Sequence, residues 1–232
     1  MQSSALRPHI PDLCFFKPKK TTMEKHFYKS SGISLITGSL LIIATMILHP
    51  AGGSIEYIIK STKSITATHA LAIFSLPILF FGFYGLTNKL LDKWKLAKLA
   101  LIIMGFGLIA AMFAALINGL TLPYFLGKYE NNIAENADTL KLITNYGFAI
   151  NKPLDYIFIA ATCFAITIYS TLIISSNKLP KWIGYFGVLL ISFAVIGVLT
   201  GFVFTNLIGF QLFIFGFATW FLTIGISLIK SK

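Results

Sequence analysis

The chain has 232 residues, of which 56% are hydrophobic and only 12% are charged, well below the roughly 25% of ordinary soluble domains. The apolar residues form long runs, and with a mean hydropathy of +0.80 this pattern excludes a soluble globular fold. The net charge of +11 comes almost entirely from lysines, without an arginine cluster that interleaves with aromatic residues, so no nucleic acid is predicted as a partner. The predicted partners are the lipid bilayer and, for the lysines, anionic lipid headgroups.

Residues 1–29 differ in composition from the rest of the chain. They contain three prolines and the basic run KPKK, but no apolar run long enough for a signal peptide. The sequence therefore predicts a basic, disordered tail on the cytoplasmic side. Met23 opens a segment that is typical of the basic lead into a membrane helix, so both Met1 and Met23 remain open as the true start.

Six apolar stretches follow within 30–232. A helix needs about 20 apolar residues to cross a bilayer, and four intervals between charged residues can each hold one. The interval from Trp182 to Ile229 has 48 residues without Asp, Glu, Lys or Arg, about 72 Å as one helix, so it must fold back at Thr205, Asn206 and Gly209. The prediction is an all-α integral membrane protein with six transmembrane helices near 31–49, 65–88, 99–121, 155–177, 182–204 and 207–229, and an outer loop at 122–154.

The basic residues give an orientation, because cytoplasmic segments of membrane proteins carry the excess of Lys and Arg. Fourteen of the nineteen basic residues fall on the side of the N-terminus, and five fall on the other side. This distribution predicts that the N-terminus and the C-terminus are both cytoplasmic, in a bacterial-type cell inner membrane. The five outer lysines are Lys60, Lys63, Lys128, Lys141 and Lys152.

Small residues predict where helices approach each other closely. Gly197 and Gly201 form a GxxxG pair in the fifth predicted span, and we expect Gly201 at a tight helix contact. Such pairs fit packing within one bundle, and a homo-oligomer is left open. Pro77 predicts a kink in the second span, and the apolar spacing over 134–150 suggests a short amphipathic helix lying on the outer surface.

Ionisable residues are missing from the middle of every predicted span, which disfavours proton-coupled pumps. No catalytic motif such as GxSxG, HExxH or a phosphate-binding loop is present, and whether the protein is an enzyme is left open. Polar side chains gather instead at the outer ends of the spans. The candidate ligand-binding residues at that level are Asn118, Asp155, Asn206 and Gln211.

Two histidines are predicted to meet at the same level. His49 ends the first span and His69 lies near the start of the second, so antiparallel neighbours bring them to one depth. Glu56, in the connecting loop, completes a set of two histidines and one carboxylate that suits a metal. The leading hypothesis is a metal ion or b-type haem bound at the outer face. The alternatives are a small-solute or lipid transporter or handling protein and a non-catalytic membrane partner subunit.

Overall fold

The computed structural model of the protein describes residues 20–50, 53–90 and 94–230, and within them every regular element is helical. A π-helical turn, Leu116–Thr121, joins α4 to α5. The α-helices are α1 Lys20–Leu48, α2 Ile55–Lys60, α3 Thr62–Lys89, α4 Trp94–Ala115, α5 Leu122–Gly127, α6 Ala137–Ser175, α7 Lys181–Leu199 and α8 Leu207–Lys230.

Six helical segments in the described residues are long and apolar enough to cross a membrane, which confirms the predicted all-α fold and the number of spans. The protein is therefore a multi-pass membrane protein. The segments are Met23–Leu48, Thr62–Lys89, Lys95–Gly127, Ala137–Ser175, Lys181–Leu199 and Leu207–Lys230.

Close backbone contacts show that the first and last membrane helices run antiparallel. A Cβ on Gly32 of α1 would lie 2.6 Å from the carbonyl oxygen of Gly225 in α8, and a Cβ on Gly225 would lie 2.8 Å from the carbonyl oxygen of Gly32. Gly38 and Gly82 make similarly tight contacts between α1 and α3. Only glycine allows this approach, because any side chain would separate the helices.

Because successive membrane helices run in opposite directions, the bundle has two distinct ends. The lysine end holds the start of α1, the end of α8 and the α3–α4 and α6–α7 connections, with Lys25, Lys29, Lys89, Lys95, Lys98, Lys178, Lys181 and Lys230. The histidine end holds the end of α1, the starts of α3, α6 and α8, and the π-helical turn. Both described ends of the chain therefore lie at the lysine end.

Two predicted boundaries need correction. α1 begins at Lys20, so residues 20–29 of the predicted tail are helical, while residues 1–19 lie outside the described residues. α7 ends at Leu199 rather than near 204.

Gly201 has a φ of +81° and a Cβ there would meet nothing within 4 Å, so the expected tight helix contact at Gly201 is wrong. Glycine serves there to form the turn, because other residues disfavour positive φ.

The region predicted as an outer loop, 122–154, is mostly helical. The segment expected to lie flat on the membrane surface is instead the first part of α6, which runs without a break from Ala137 to Ser175. Leu140 is fully buried there and packs in a small apolar core with Ile58, Ile65, Leu122 and Leu126. We call α2, α5 and residues 137–152 of α6 the cap. Apolar contact packs this segment against α5 and α2.

Candidate functional site

A partly open cavity of about 350 Å³ extends from the histidine end toward the middle of the bundle. Its described lining comes from α1, α3, α4, α6 and α8, from the π-helical turn, and from Ile58 and Leu122 of the cap; none of these lining residues belongs to α7. The volume lies within the range of about 300–1,000 Å³ that is usual for small-molecule sites.

The cavity is long and narrow. Its lining residues run from Ile65 to Leu79 on α3, from Phe148 to Thr162 on α6 and from Leu207 to Phe221 on α8. Each of these intervals covers fourteen helical steps, or about 21 Å at 1.5 Å per residue. The polar lining residues His49, His69, Asn118, Asn151, Asp155, Thr205 and Asn206 belong to the histidine end, whereas the deeper lining is almost wholly apolar.

His49 and His69 stand together where the cavity meets the histidine end. Their Nε2 atoms are 3.4 Å apart, and their ring centroids are 4.8 Å apart at an interplanar angle of 58°. Both rings are partly buried and line the cavity. The structure thus brings the two histidines together as their connectivity predicts.

Hydrogen bonds to backbone carbonyls fix the tautomer of each ring. His49 Nδ1 lies 2.8 Å from the carbonyl oxygen of Pro50, and His69 Nδ1 lies 2.8 Å from that of Ile65. A carbonyl oxygen can only accept, so each Nδ1 carries the hydrogen and donates it. In the neutral rings both Nε2 atoms are then unprotonated, and two lone pairs face each other with no hydrogen between them.

The π-helical turn supports His69 from the side. Gly119 is buried in this turn, and a Cβ at that position would overlap the imidazole ring of His69. Single π-helical turns occur mostly inside α-helices and are frequently found at functional sites. Because Gly119 has no side chain, its backbone lies directly against the ring of His69. The preceding residue, Asn118, lies in the cavity wall.

The α6 side of the cavity carries a second polar group. The side-chain Nδ2 of Asn151 donates to Asp155 Oδ2 at 2.7 Å. Three other buried oxygens on lining residues have no hydrogen-bond partner in the described part of the chain: Asn118 Oδ1, Asn151 Oδ1 and Thr162 Oγ1. Buried polar atoms are nearly always paired, so these oxygens are available to a bound molecule.

Three of the predicted site residues have other roles or surroundings. Glu56 is exposed on α2, where the Ser54 hydroxyl and the Glu56 backbone lower the pKa of its carboxyl. The described residues contain no group of three His, Cys, Asp or Glu that could hold a metal, so the structure does not bring Glu56 to the histidine pair. Gln211 Nε2 donates to the Met46 carbonyl at 3.1 Å, and Gln211 is not a lining residue. Asn206 lines the cavity, but its Oδ1 accepts from the Gly209 N–H at 2.7 Å.

Asn118 and Asp155 do lie in the cavity wall, and their ligand-binding role remains a prediction. Sequence reasoning missed Thr162, which is almost fully buried. Its spacing offered a signal, because the lining residues of α6 repeat every three or four residues on one face: Phe148, Asn151, Asp155, Phe158 and Thr162.

Comparisons with known protein families, with curated proteins and with solved structures find no match.

Proposed function

We propose that the protein binds one transition-metal ion through Nε2 of His49 and Nε2 of His69 where the cavity meets the histidine end. The observation that carries the proposal is the 3.4 Å separation of two unprotonated nitrogens. Two metal–nitrogen bonds of 2.0–2.1 Å at a tetrahedral angle place their nitrogens roughly 3.3–3.4 Å apart. The carbonyl bonds to Nδ1 are the outer interactions that orient histidine ligands.

An ion is supported better than a b-type haem. Two axial histidines would place their nitrogens on opposite faces of the porphyrin, about 4 Å apart. The ring centroids of His49 and His69 are 4.8 Å apart, which leaves no room for a macrocycle between them. The cavity is also long and narrow, a shape that fits an extended hydrocarbon chain better than a flat porphyrin.

Two histidines leave coordination positions free for water or for a molecule in the cavity. Catalytic zinc sites keep such an open position, whereas structural sites are closed by four protein ligands. In this arrangement the ion can orient and polarise a polar group that enters from the cavity. The chain contributes the two nitrogens, their fixed tautomers and a largely apolar surrounding.

The test is metal content after removal of each histidine. We expect the purified, chelator-treated protein to take up one Zn²⁺ or Co²⁺ per chain, with Co²⁺ giving a visible absorption band. His49→Ala and His69→Ala should each lower the affinity by about tenfold or more. His26→Ala, an exposed histidine at the lysine end, is the matched control. Equal uptake by all three variants would show that the pair binds no ion.

We propose that the lysine end faces the cytoplasm of a bacterial-type inner membrane, near anionic headgroups. The support is the lysine distribution, because positively charged loops are retained inside. The histidine pair then lies at the outer surface.

We propose small-solute or lipid transport or handling as a second candidate function. The observation that favours it is the cavity itself, since a membrane helix bundle that only holds a partner needs no internal space of about 350 Å³. A substitution that fills the cavity, Ala111→Phe, should abolish uptake or binding of the transported molecule.

A further inference from the structure

We infer that the cavity binds an amphiphile with one extended apolar chain and an uncharged or cationic head group that donates hydrogen bonds, such as a hydroxyl or an amine. The head lies at the histidine end and the chain points toward the middle of the bundle. This inference rests on the second candidate function and not on the metal ion.

The deep part of the cavity offers an apolar surface to the chain. The described lining residues farther from the histidine end than Asp155 include no charged side chain. A methylene group that enters the cavity from water strengthens binding by about fourfold, whereas a chain that enters from lipid is held by packing against the lining. The deep apolar lining consists mainly of Ile42, Leu76, Leu79, Met104, Leu108, Phe213, Phe217 and Phe221.

The buried side-chain atoms near the head that lack a partner within the described residues are both acceptors. Asn151 directs its amide N–H to Asp155, so its free Oδ1 requires a donor, as does the buried Oδ1 of Asn118. A carboxylate or phosphate head brings no hydrogen for these two oxygens, whereas a hydroxyl or amine group donates to them.

The depth of the cavity sets the length of the chain. From Asn151 to Thr162 there are eleven helical steps, or about 16 Å. A chain of medium length therefore reaches the level of Thr162, and a short chain leaves the deep half empty. Binding should consequently rise with chain length until the cavity is filled.

The test uses monolauroylglycerol with a diazirine at the end of its chain, added to the protein in lipid nanodiscs. Light should attach it to lining residues on α4, α6 or α8 at the depth of Met104, Thr162 or Phe217. Because no lining residue belongs to α7, attachment there measures contact through the bilayer. Attachment confined to α7 and other lipid-facing positions would overturn the inference.

Competition tests the head and the chain separately. Unlabelled monolauroylglycerol should displace the probe at least tenfold better than methyl laurate, which has the chain but no donor, and better than monohexanoylglycerol, which has the donors but a short chain. Equal competition by methyl laurate would show that the acceptor wall does not select the head.

Variants separate filling of the cavity from general damage. Ala111→Phe fills the cavity and should lower labelling of the deep lining at least tenfold, whereas Ala160→Phe, on the exposed face of α6, should leave it unchanged. If unlabelled monolauroylglycerol does not displace the probe, the amphiphile is wrong; the second candidate function then stands if Ala111→Phe still abolishes uptake or binding of a small solute. If the probe is not displaced and Ala111→Phe changes neither labelling nor solute binding, both are wrong.

Discussion

Gly119 is the residue on which the position of His69 depends. A Cβ added there would overlap the imidazole ring, and both the ring and the π-helical turn are held in place by neighbouring helices. Gly119→Ala should therefore lower the free energy of unfolding by about 1–3 kcal/mol, as overpacking does, and weaken metal uptake by displacing Nε2.

Gly127→Ala is the matched control, because a Cβ at Gly127 meets nothing within 4 Å and the residue ends the neighbouring α5. Thermal unfolding and zinc titration of both variants measure the difference. Equal stability and equal uptake would show that the ring moves aside without cost.

The histidine pair could be predicted from the sequence because connectivity alone places the end of α1 beside the start of α3. The tautomers could not, since they depend on which carbonyl oxygens lie within reach of each Nδ1. Glu56 shows what spacing alone does not reveal. It follows His49 by seven residues, but it lies in α2, where its side chain is on an exposed face.

At the scale of elements, Asn206 is the residue that starts α8. Its Oδ1 accepts from the backbone N–H of Gly209, the third residue of the helix, as an N-cap does. Asn206→Ala should lower the free energy of unfolding by about 1 kcal/mol, and Asn206→Asp, which keeps the acceptor and suits the helix dipole, should lower it far less.

Chemical or thermal unfolding in a fixed detergent, with both variants in parallel, checks this prediction. Equal destabilisation by alanine and aspartate would mean that Asn206 acts through its amide N–H, as a ligand contact in the cavity would require. The lining position of Asn206 makes this alternative a real one.

The ends of helices were harder to predict than their number. The intervals without charged residues predicted six spans correctly, because the thickness of the hydrocarbon fixes how many apolar residues a span needs. They could not place the end of α7 at Leu199, since the residues that follow it are as apolar as the helix itself. Nor could they show that α6 continues past the membrane, because that depends on Leu140 packing against α5 and α2.

For the whole molecule, the orientation can be measured with single cysteines placed at the two ends. In a background with Cys14 and Cys163 replaced by serine, Asn131→Cys in the α5–α6 connection and Asn177→Cys in the α6–α7 connection are both exposed sites. We expect a membrane-impermeant maleimide added to intact cells to label position 131, and position 177 only after permeabilisation. The reverse pattern would place the lysine end outside and the histidine pair inside.

The length of α6 gives the molecule an uneven profile. Its 39 residues measure about 58 Å, nearly twice the roughly 30 Å of hydrocarbon, and the excess lies in the cap. Residues 137–152 alone add about 24 Å on one side, with no counterpart in the described connections at the lysine end. Scanned by atomic force microscopy in a supported bilayer, the face that carries the cap should stand about 2 nm tall.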